Sequence, residues 1–292
     1  MNVRENCLES FVERNYGRTA KCNPLAIDLE LSGYFWGTEP FGGPMNQPTR
    51  PVAIVNDGSF YVGPPLARAL AASGYDLVIG DPAEGLSAEL QTLGATVIEV
   101  SKVRDISRPE NAEKLAQHAL DAFGRIDSAV MFSGLIVTGS ILKSTRDDLD
   151  KVYNGCVVAP YEFLKAVLPT MVNQQSGQVL LITSASAARP TPGAPLYSSM
   201  RAAATLLAKN SAMEMAKNNV QVNAVGTNFM DFPEFRRATG ADDPDTRKKI
   251  ESQVPLGRLG TVDEFAHFCM PYLDGKSTFA TGQFVSFSGG WS

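Results

Sequence analysis

From Pro51 onward the chain alternates short apolar runs with longer stretches whose apolar residues recur at helical spacing. The runs VAIVN (52–56), DLVIG (76–80), ATVIEV (95–100), DSAVMF (127–132), QVLLIT (178–183), VQVNAV (220–225) and QFVSF (283–287) predict seven strands. Helices are predicted near 64–73, 84–93, 109–123, 145–171, 194–218 and 261–273. Strands this uniformly apolar, alternating with helices, imply a parallel sheet covered on both faces. Right-handed crossovers then give a doubly wound, Rossmann-like α/β fold with ligands beyond the carboxyl ends of the strands. The turn 56–63, Ser184 and the loop after Val225 all fall at those ends, so they can converge on one cleft.

Two segments stand outside the alternation. Residues 226–260 are too long for a simple connection, and GTNFMDFPEF carries three phenylalanines and a methionine. A segment of that length is expected to cover an active site, or else to be a helical excursion packing its own aromatics. Residues 1–50 form an N-terminal extension to a catalytic domain at 51–292. Their Tyr34, Phe35, Trp36 and Phe41 suit an arm packed on the domain or on a neighbouring subunit; the other reading is that translation begins at Met45.

Composition narrows the partners. A net charge of −5 provides no basic footprint, so neither nucleic acid nor an anionic membrane surface is expected. No apolar run reaches membrane-spanning length, and no signal-peptide core opens the chain. Cys7, Cys22, Cys156 and Cys269 are scattered without a CxxC pair, as expected of reduced thiols in a cytoplasmic protein. His118 and His267 lie in predicted helices and offer no metal centre.

The candidate chemistry is concentrated in Ser184, which closes a strand, and in Tyr197 and Arg201 of YSSMR. Tyr197 and Arg201 are four residues apart and share a helix face. A fixed positive charge beside a phenol favours its ionised form, and a serine hydroxyl can hold a substrate oxygen while the proton moves. What such a site acts on depends on the first βα turn, VNDGSFYVGPPLARAL (55–70). A dinucleotide fold needs glycines there, so that the backbone can approach a pyrophosphate resting on the helix N-terminus. Here Asp57 and Tyr61 stand in two glycine positions and only Gly63 remains; Pro64 and Pro65 are tolerated in the opening turn of the helix. The turn thus predicts a site without cofactor. Asp81 after the second strand supports the opposite reading, a ribose-binding carboxylate, or is an ordinary turn residue before a proline.

From Pro51 to Trp291 the pattern resembles the short-chain dehydrogenase/reductase superfamily. The Ser-x12-Tyr-x3-Arg spacing, the aromatic Tyr61 two positions before Gly63, and the stretches YVGPPLARAL, GLIVTG, QVNAVGTNFMDFP, QVPLGRLGT and TGQFVSFSGGW resemble the G-type halohydrin dehalogenases. That resemblance implies a cofactor-independent lyase. It would convert vicinal halohydrins to epoxides and halide, and in reverse open epoxides with azide, cyanide or nitrite. Tyr197 would be the base, Ser184 would position the substrate oxygen, and Arg201 would tune Tyr197. Tyr61, Thr227, Asn228, Phe229 and Met230 would bind the halide, with successive turn amides forming an anion nest. A homotetramer pairing the helices near 145–171 and 194–218 is also implied. Ser133 aligns where some members carry an acidic residue behind the arginine, and Asn154 matches the relay asparagine of reductases. Trp291 would cover a neighbour's site or anchor the last strand. The alternatives are an NAD(P)-dependent short-chain oxidoreductase with a degenerate nucleotide loop and a non-catalytic reductase-like scaffold.

Overall fold

A computed structural model describes residues 50–133 and 135–292. A boundary between Gln47 and Pro48 separates this unit from the N-terminal segment, so the expectations for that segment lie outside the described residues. Seven parallel strands form the sheet: β1 (Val52–Val55), β2 (Asp76–Gly80), β3 (Val97–Val100), β4 (Ser128–Phe132), β5 (Gly177–Ser184), β6 (Val220–Thr227) and β9 (Phe284–Phe287). Their spatial order, β3-β2-β1-β4-β5-β6-β9, reverses between β1 and β4. That reversal opens a crevice beyond the carboxyl ends of these two strands, where doubly wound folds bind their ligands.

Alternating strand residues feed two cores. Val52, Ile54, Ala129, Met131, Val179 and Leu181 pack on one side against α3 (Pro109–Phe123), α5 (Ala159–Gln174) and α6 (Pro195–Met215). On the other side, Ala53, Val55, Val130, Phe132, Leu180 and Ile182 pack against α1 (Gly63–Ala72), α2 (Leu86–Thr92) and α9 (Val262–Cys269). The period of two in the side chains and the cover on both faces explain why these strands are almost wholly apolar.

The predicted helix near 145–171 is one continuous rod with an irregularity inside it. Helix α4 (Arg146–Tyr153) passes into a π turn (Asn154–Val158) before α5, and Ala159 N donates to Asn154 O five residues back. Pro160 supplies a cause: without an N–H it cannot make the ordinary bond one turn back, and widening the turn absorbs the defect. By length and hydropathy Arg146–Gln174 does pass the test for a membrane span, contrary to the sequence expectation. Yet its Phe163, Leu164, Val167 and Met171 belong to the core, which explains the apolar composition without a membrane.

The segment after β6 folds as β7 (Met230–Asp231), α7 (Pro233–Thr239), α8 (Pro244–Glu251) and β8 (Gly260–Thr261), with β7 and β8 pairing in parallel. One carboxylate ties it together: Asp231 accepts from Arg236 of α7 and from Arg247 of α8, each at 2.8 Å. At the far end, Thr261 and Glu264 form a capping box, and Arg258 donates to both oxygens of Glu264 at 2.6 and 2.9 Å. Hydrogen bonding from Arg258, helped by Thr261, holds the Glu264 carboxyl down at about 2, below its ordinary 4.5. A depressed carboxyl stabilises the fold above its unfolded value and loses that contribution as pH falls. The melting difference between wild type and Glu264→Gln should therefore be constant above pH 5 and shrink progressively between about pH 4.5 and 2. The pair is part-exposed, so the difference is expected to be small, about 1 kcal/mol or less.

Asn56 joins the two strands at the reversal. Its amide donates to Phe132 O at 2.9 Å and its oxygen accepts from Phe132 N at 3.0 Å, all buried. Asn56→Ala leaves both backbone groups without partners, and thermal unfolding should report a loss of about 2–3 kcal/mol, against under 1 kcal/mol for a surface control.

Candidate active site

Ser184 ends β5 in register with Thr227 at the end of β6. Strand β6 comes close at this point because residue 226 is glycine: a Cβ there would lie 2.5 Å from the Ser184 carbonyl carbon. Helix α6 packs across the ends of both strands and on the short 3-10 turn Ala185–Ala187. Tyr197, Arg201 and Thr205 are spaced at four residues along one face of α6. Thr205 Oγ1 stands 3.1 Å from Thr183 Oγ1, fixing that face over the end of β5. The structure thus brings Ser184, Tyr197 and Arg201 to the same end of the sheet.

Arg201 is 4% exposed. Its guanidinium carbon lies 5.1 Å from the centre of the half-buried Tyr197 ring, and its Nη2 donates to Ser133 O at 2.9 Å and to Ser133 Oγ at 3.3 Å. Ser133 Oγ in turn donates to Gly155 O in the π turn. Ser133 therefore orients the arginine itself, with a carbonyl and a hydroxyl where the alignment looked for a carboxylate. Burial works against the charge of Arg201, but Tyr197 and Cys156 outweigh it, and the guanidinium is held above its ordinary value. Its Nε is buried with no hydrogen-bond partner.

Tyr61 stands beside this group in the left-handed region, at φ +52°. Its ring packs at 4.6 Å from that of Phe232 in the segment after β6 and on Phe265 of α9, and its hydroxyl donates to Thr227 Oγ1 at 2.9 Å. Burial pushes the phenol well above its usual range, so it stays protonated; the charges of Tyr197 and Arg201 also reach it. The turn that follows Thr227 spends its amides internally. Asn228 N donates to Phe287 O at 3.4 Å, and Phe229 N, at a residue with φ +56°, donates to Asn228 Oδ1 at 2.9 Å. Met230 pairs with Gly260 as part of β7. The expected anion nest of free amides over 227–230 is therefore not formed, because the turn closes on itself. Trp291 packs within its own chain, edge-on to Phe229 at 5.7 Å and under the guanidinium of Arg189 at 4.8 Å.

The first βα turn does not offer a pyrophosphate the usual bed of amides. Gly58 N donates to Gly80 O, Gly63 N donates to Phe60 O, and Pro64 and Pro65 have no N–H to give. The carboxylate of Asp57 lies in the turn, accepting from Ser59 N and Ser59 Oγ at 2.9 Å and pairing with Arg104 at 3.0 Å. Asp81 accepts from Lys102 N and Val103 N at 2.6 and 2.9 Å, so it braces the loop after β3 as a turn residue would. Cationic side chains are found instead in the adjoining crevice. A cavity of about 550 Å³ at the β1/β4 reversal is lined by Asn56, Arg104, Ser107, Ser133, Lys151 and Asn154. Sequence reasoning missed Arg104 and Lys151, which lie in a loop and on a helix without a motif. Arg104 and Lys151 are the cationic side chains among the cavity's lining residues, and the carboxylates of Asp57 and Asp105 line it as well.

A family model described as Enoyl-(Acyl carrier protein) reductase matches residues 62–292. The chain is 26% identical over 245 residues to 2,5-dichloro-2,5-cyclohexadiene-1,4-diol dehydrogenase LinX of Sphingobium indicum, covering 82% of this chain and 96% of the relative. It is 30% identical over 194 residues to Dehydrogenase/reductase SDR family member 6 of Danio rerio, covering 65% of this chain and 78% of the relative. Among solved structures, the NADPH dependent reductase YwfH, involved in bacilysin biosynthesis, superposes with a TM-score of 0.76 at 21% identity, over 83% of this chain and 98% of that one. These findings overturn the expectation of a cofactor-independent halohydrin dehalogenase: the matching family is a reductase family and the relatives are dehydrogenases and reductases, not lyases that release halide or open epoxides. The halide-binding role assigned to Tyr61 and residues 227–230 falls with it.

Tyr61 remains as the bridge between the first turn and the end of β6. Tyr61→Phe keeps the packed ring and deletes only the bond to Thr227, so chemical denaturation should show a loss of about 1 kcal/mol. Tyr61→Ala removes a partly buried ring and should cost more, about 2–3 kcal/mol.

Proposed function

This chain belongs to the short-chain dehydrogenase/reductase superfamily, and from that premise we propose that it is an oxidoreductase interconverting an alcohol and a carbonyl on a small organic substrate. The observation that supports this reading most is that Ser184 closes β5 while α6, packed on β5 and on the turn after it, carries Tyr197 beside the buried Arg201. In the reducing direction Tyr197 gives its proton to the carbonyl oxygen as carbon accepts hydride; in the oxidising direction it takes the hydroxyl proton back. Ser184 holds the same oxygen through its hydroxyl. Arg201 occupies the position one turn after the tyrosine and, being buried beside the ring, stabilises negative charge that develops on the phenol or on the substrate oxygen.

A nicotinamide dinucleotide, the kind of cofactor named for the YwfH reductase, would supply or accept the hydride when bound. Arg104 and Lys151 would meet its phosphates, and Asn154 of the π turn lines the same crevice. Binding through Arg104 means opening its pair with Asp57, so affinity should fall with salt more steeply than in a turn that uses amides. Exposed apolar side chains on the outward faces of the long helices, Tyr153 and Tyr161 on α4–α5 and Leu206 and Met213 on α6, support assembly into a homotetramer across those helices.

Three measurements check the reading. Calorimetric titration with NADH and NADPH should give saturable binding that weakens in Arg104→Ala. Oxidation of either nucleotide should depend on an added ketone, and Tyr197→Phe should lower kcat by about 10²–10⁴ with the fold intact. Absence of both saturable binding and ketone-dependent turnover with either nucleotide would refute the oxidoreductase assignment. Light scattering should report a tetramer that Leu206→Glu with Met213→Glu dissociates.

A further inference from the structure

Ser184 Oγ is approached twice by one neighbour. Ser186 Oγ donates to it at 2.7 Å and Ser186 N donates to it at 3.2 Å. Both serines are almost fully enclosed, Ser184 at 5% and Ser186 at 2% exposure. A serine hydroxyl has one proton and two lone pairs, so these two donors fill its accepting capacity. Its own proton is directed at Thr227 O over 3.4 Å, at the long limit of a hydrogen bond. The order of donation therefore runs from Ser186 to Ser184, and then weakly to Thr227.

We propose that Ser186 is a positioning residue that fixes Ser184 as a hydrogen-bond donor, so that the site accepts substrates through an acceptor oxygen, a carbonyl or a developing alkoxide. This rests on the oxidoreductase reading and sharpens it. A hydroxyl free to rotate can either donate or accept, and it stabilises a charged oxygen only in the fraction of time it points the right way. With both lone pairs engaged, Ser184 has no accepting mode left. Its one weak bond, to Thr227 O, is readily exchanged for a stronger one to an incoming oxygen that carries more negative charge. The donor is thus oriented before the substrate arrives, which is what stabilising a developing oxyanion requires.

A purely structural role for the pair is also visible, since Ser184 caps the Ala185–Ala187 turn by accepting from Ser186 N. The two roles separate chemically. Ser186→Ala keeps the backbone N–H and so the cap, but removes the hydroxyl donor.

The test uses the full chain with cyclohexanone as the probe. Crystal structures of wild type and Ser186→Ala should show Ser184 Oγ leaving its wild-type rotamer in the variant. Difference infrared spectra of bound cyclohexanone should show a carbonyl stretch lowered by wild type, and lowered less by Ser186→Ala. In steady-state reduction the variant should lose about tenfold to a hundredfold in kcat with KM little changed, the pattern of an interaction strengthened in the transition state. Ser184→Ala combined with Ser186→Ala should be no slower than Ser184→Ala alone, because Ser186 acts through Ser184. An unchanged Ser184 rotamer, or full kcat in Ser186→Ala while Ser184→Ala is crippled, would overturn the proposal. Absence of any ketone turnover by wild type would instead count against the oxidoreductase reading, and the rotamer comparison would still decide the role of Ser186.

Discussion

The arrangement of this site depends on keeping a guanidinium charged inside the protein. Arg201 is buried beside an aromatic ring, with no carboxylate partner among the described residues, and burying such a charge is unfavourable unless its donors are met and its field is used. Ser133 meets one nitrogen with a carbonyl and a hydroxyl, while Nε goes without a partner. A carboxylate in place of Ser133 would satisfy the arginine more fully, but it would also neutralise it. Holding the cation with neutral oxygens leaves its field available to Tyr197 and to whatever oxygen is bound beside it.

Much of the surrounding structure follows from holding that cation in place. Ser133 is tied to the chain at Gly155, inside a π turn that Pro160 makes favourable, and a Cβ on residue 155 would strike the side chain of Leu135 at 2.5 Å. The turn of α6 that bears Arg201 is anchored by Thr205 on Thr183. On the opposite wall, Tyr61 reaches from the first βα turn to Thr227, the residue that also flanks Ser184. Two of these connections meet at the ends of β5 and β6, and the third lies just beyond the end of β4. Tyr61 and Ser184 both donate to Thr227, although the two are far apart in sequence.

The first turn keeps the shape of a familiar supersecondary unit while its interior is filled differently. The strand, the turn and the helix are all present, and Gly63 is still required, because a Cβ there would lie 1.8 Å from Asp57 O. The amides of Gly58, Ser59 and Gly63, however, are spent inside the protein, and the turn holds the protein's own carboxylate, Asp57. Arg104, which pairs with Asp57, and Lys151 line the adjoining crevice, and long cationic side chains of this kind are screened by salt and can release one partner for another.

The sequence by itself determined the architecture. Seven apolar runs became seven parallel strands within a few residues of where they were read, because a strand buried on both faces has to be apolar throughout. It also marked Ser184, Tyr197 and Arg201, whose spacing is local: two share a helix face and the third ends a strand. It misread what the turns do. Free amides over 227–230 were expected, and the structure shows them closed on Phe287 and on the side chain of Asn228, because a turn's donors are assigned by three-dimensional neighbours that spacing does not reveal. It also missed Arg104, Lys151 and Ser186, and the part played by Ser133. Each acquires its role only when the crossovers bring the ends of β1, β3, β4 and β5 side by side. Helix and strand periodicity is written in adjacent residues, whereas the environment of a buried charge is written in contacts between elements, and only the tertiary structure decides those.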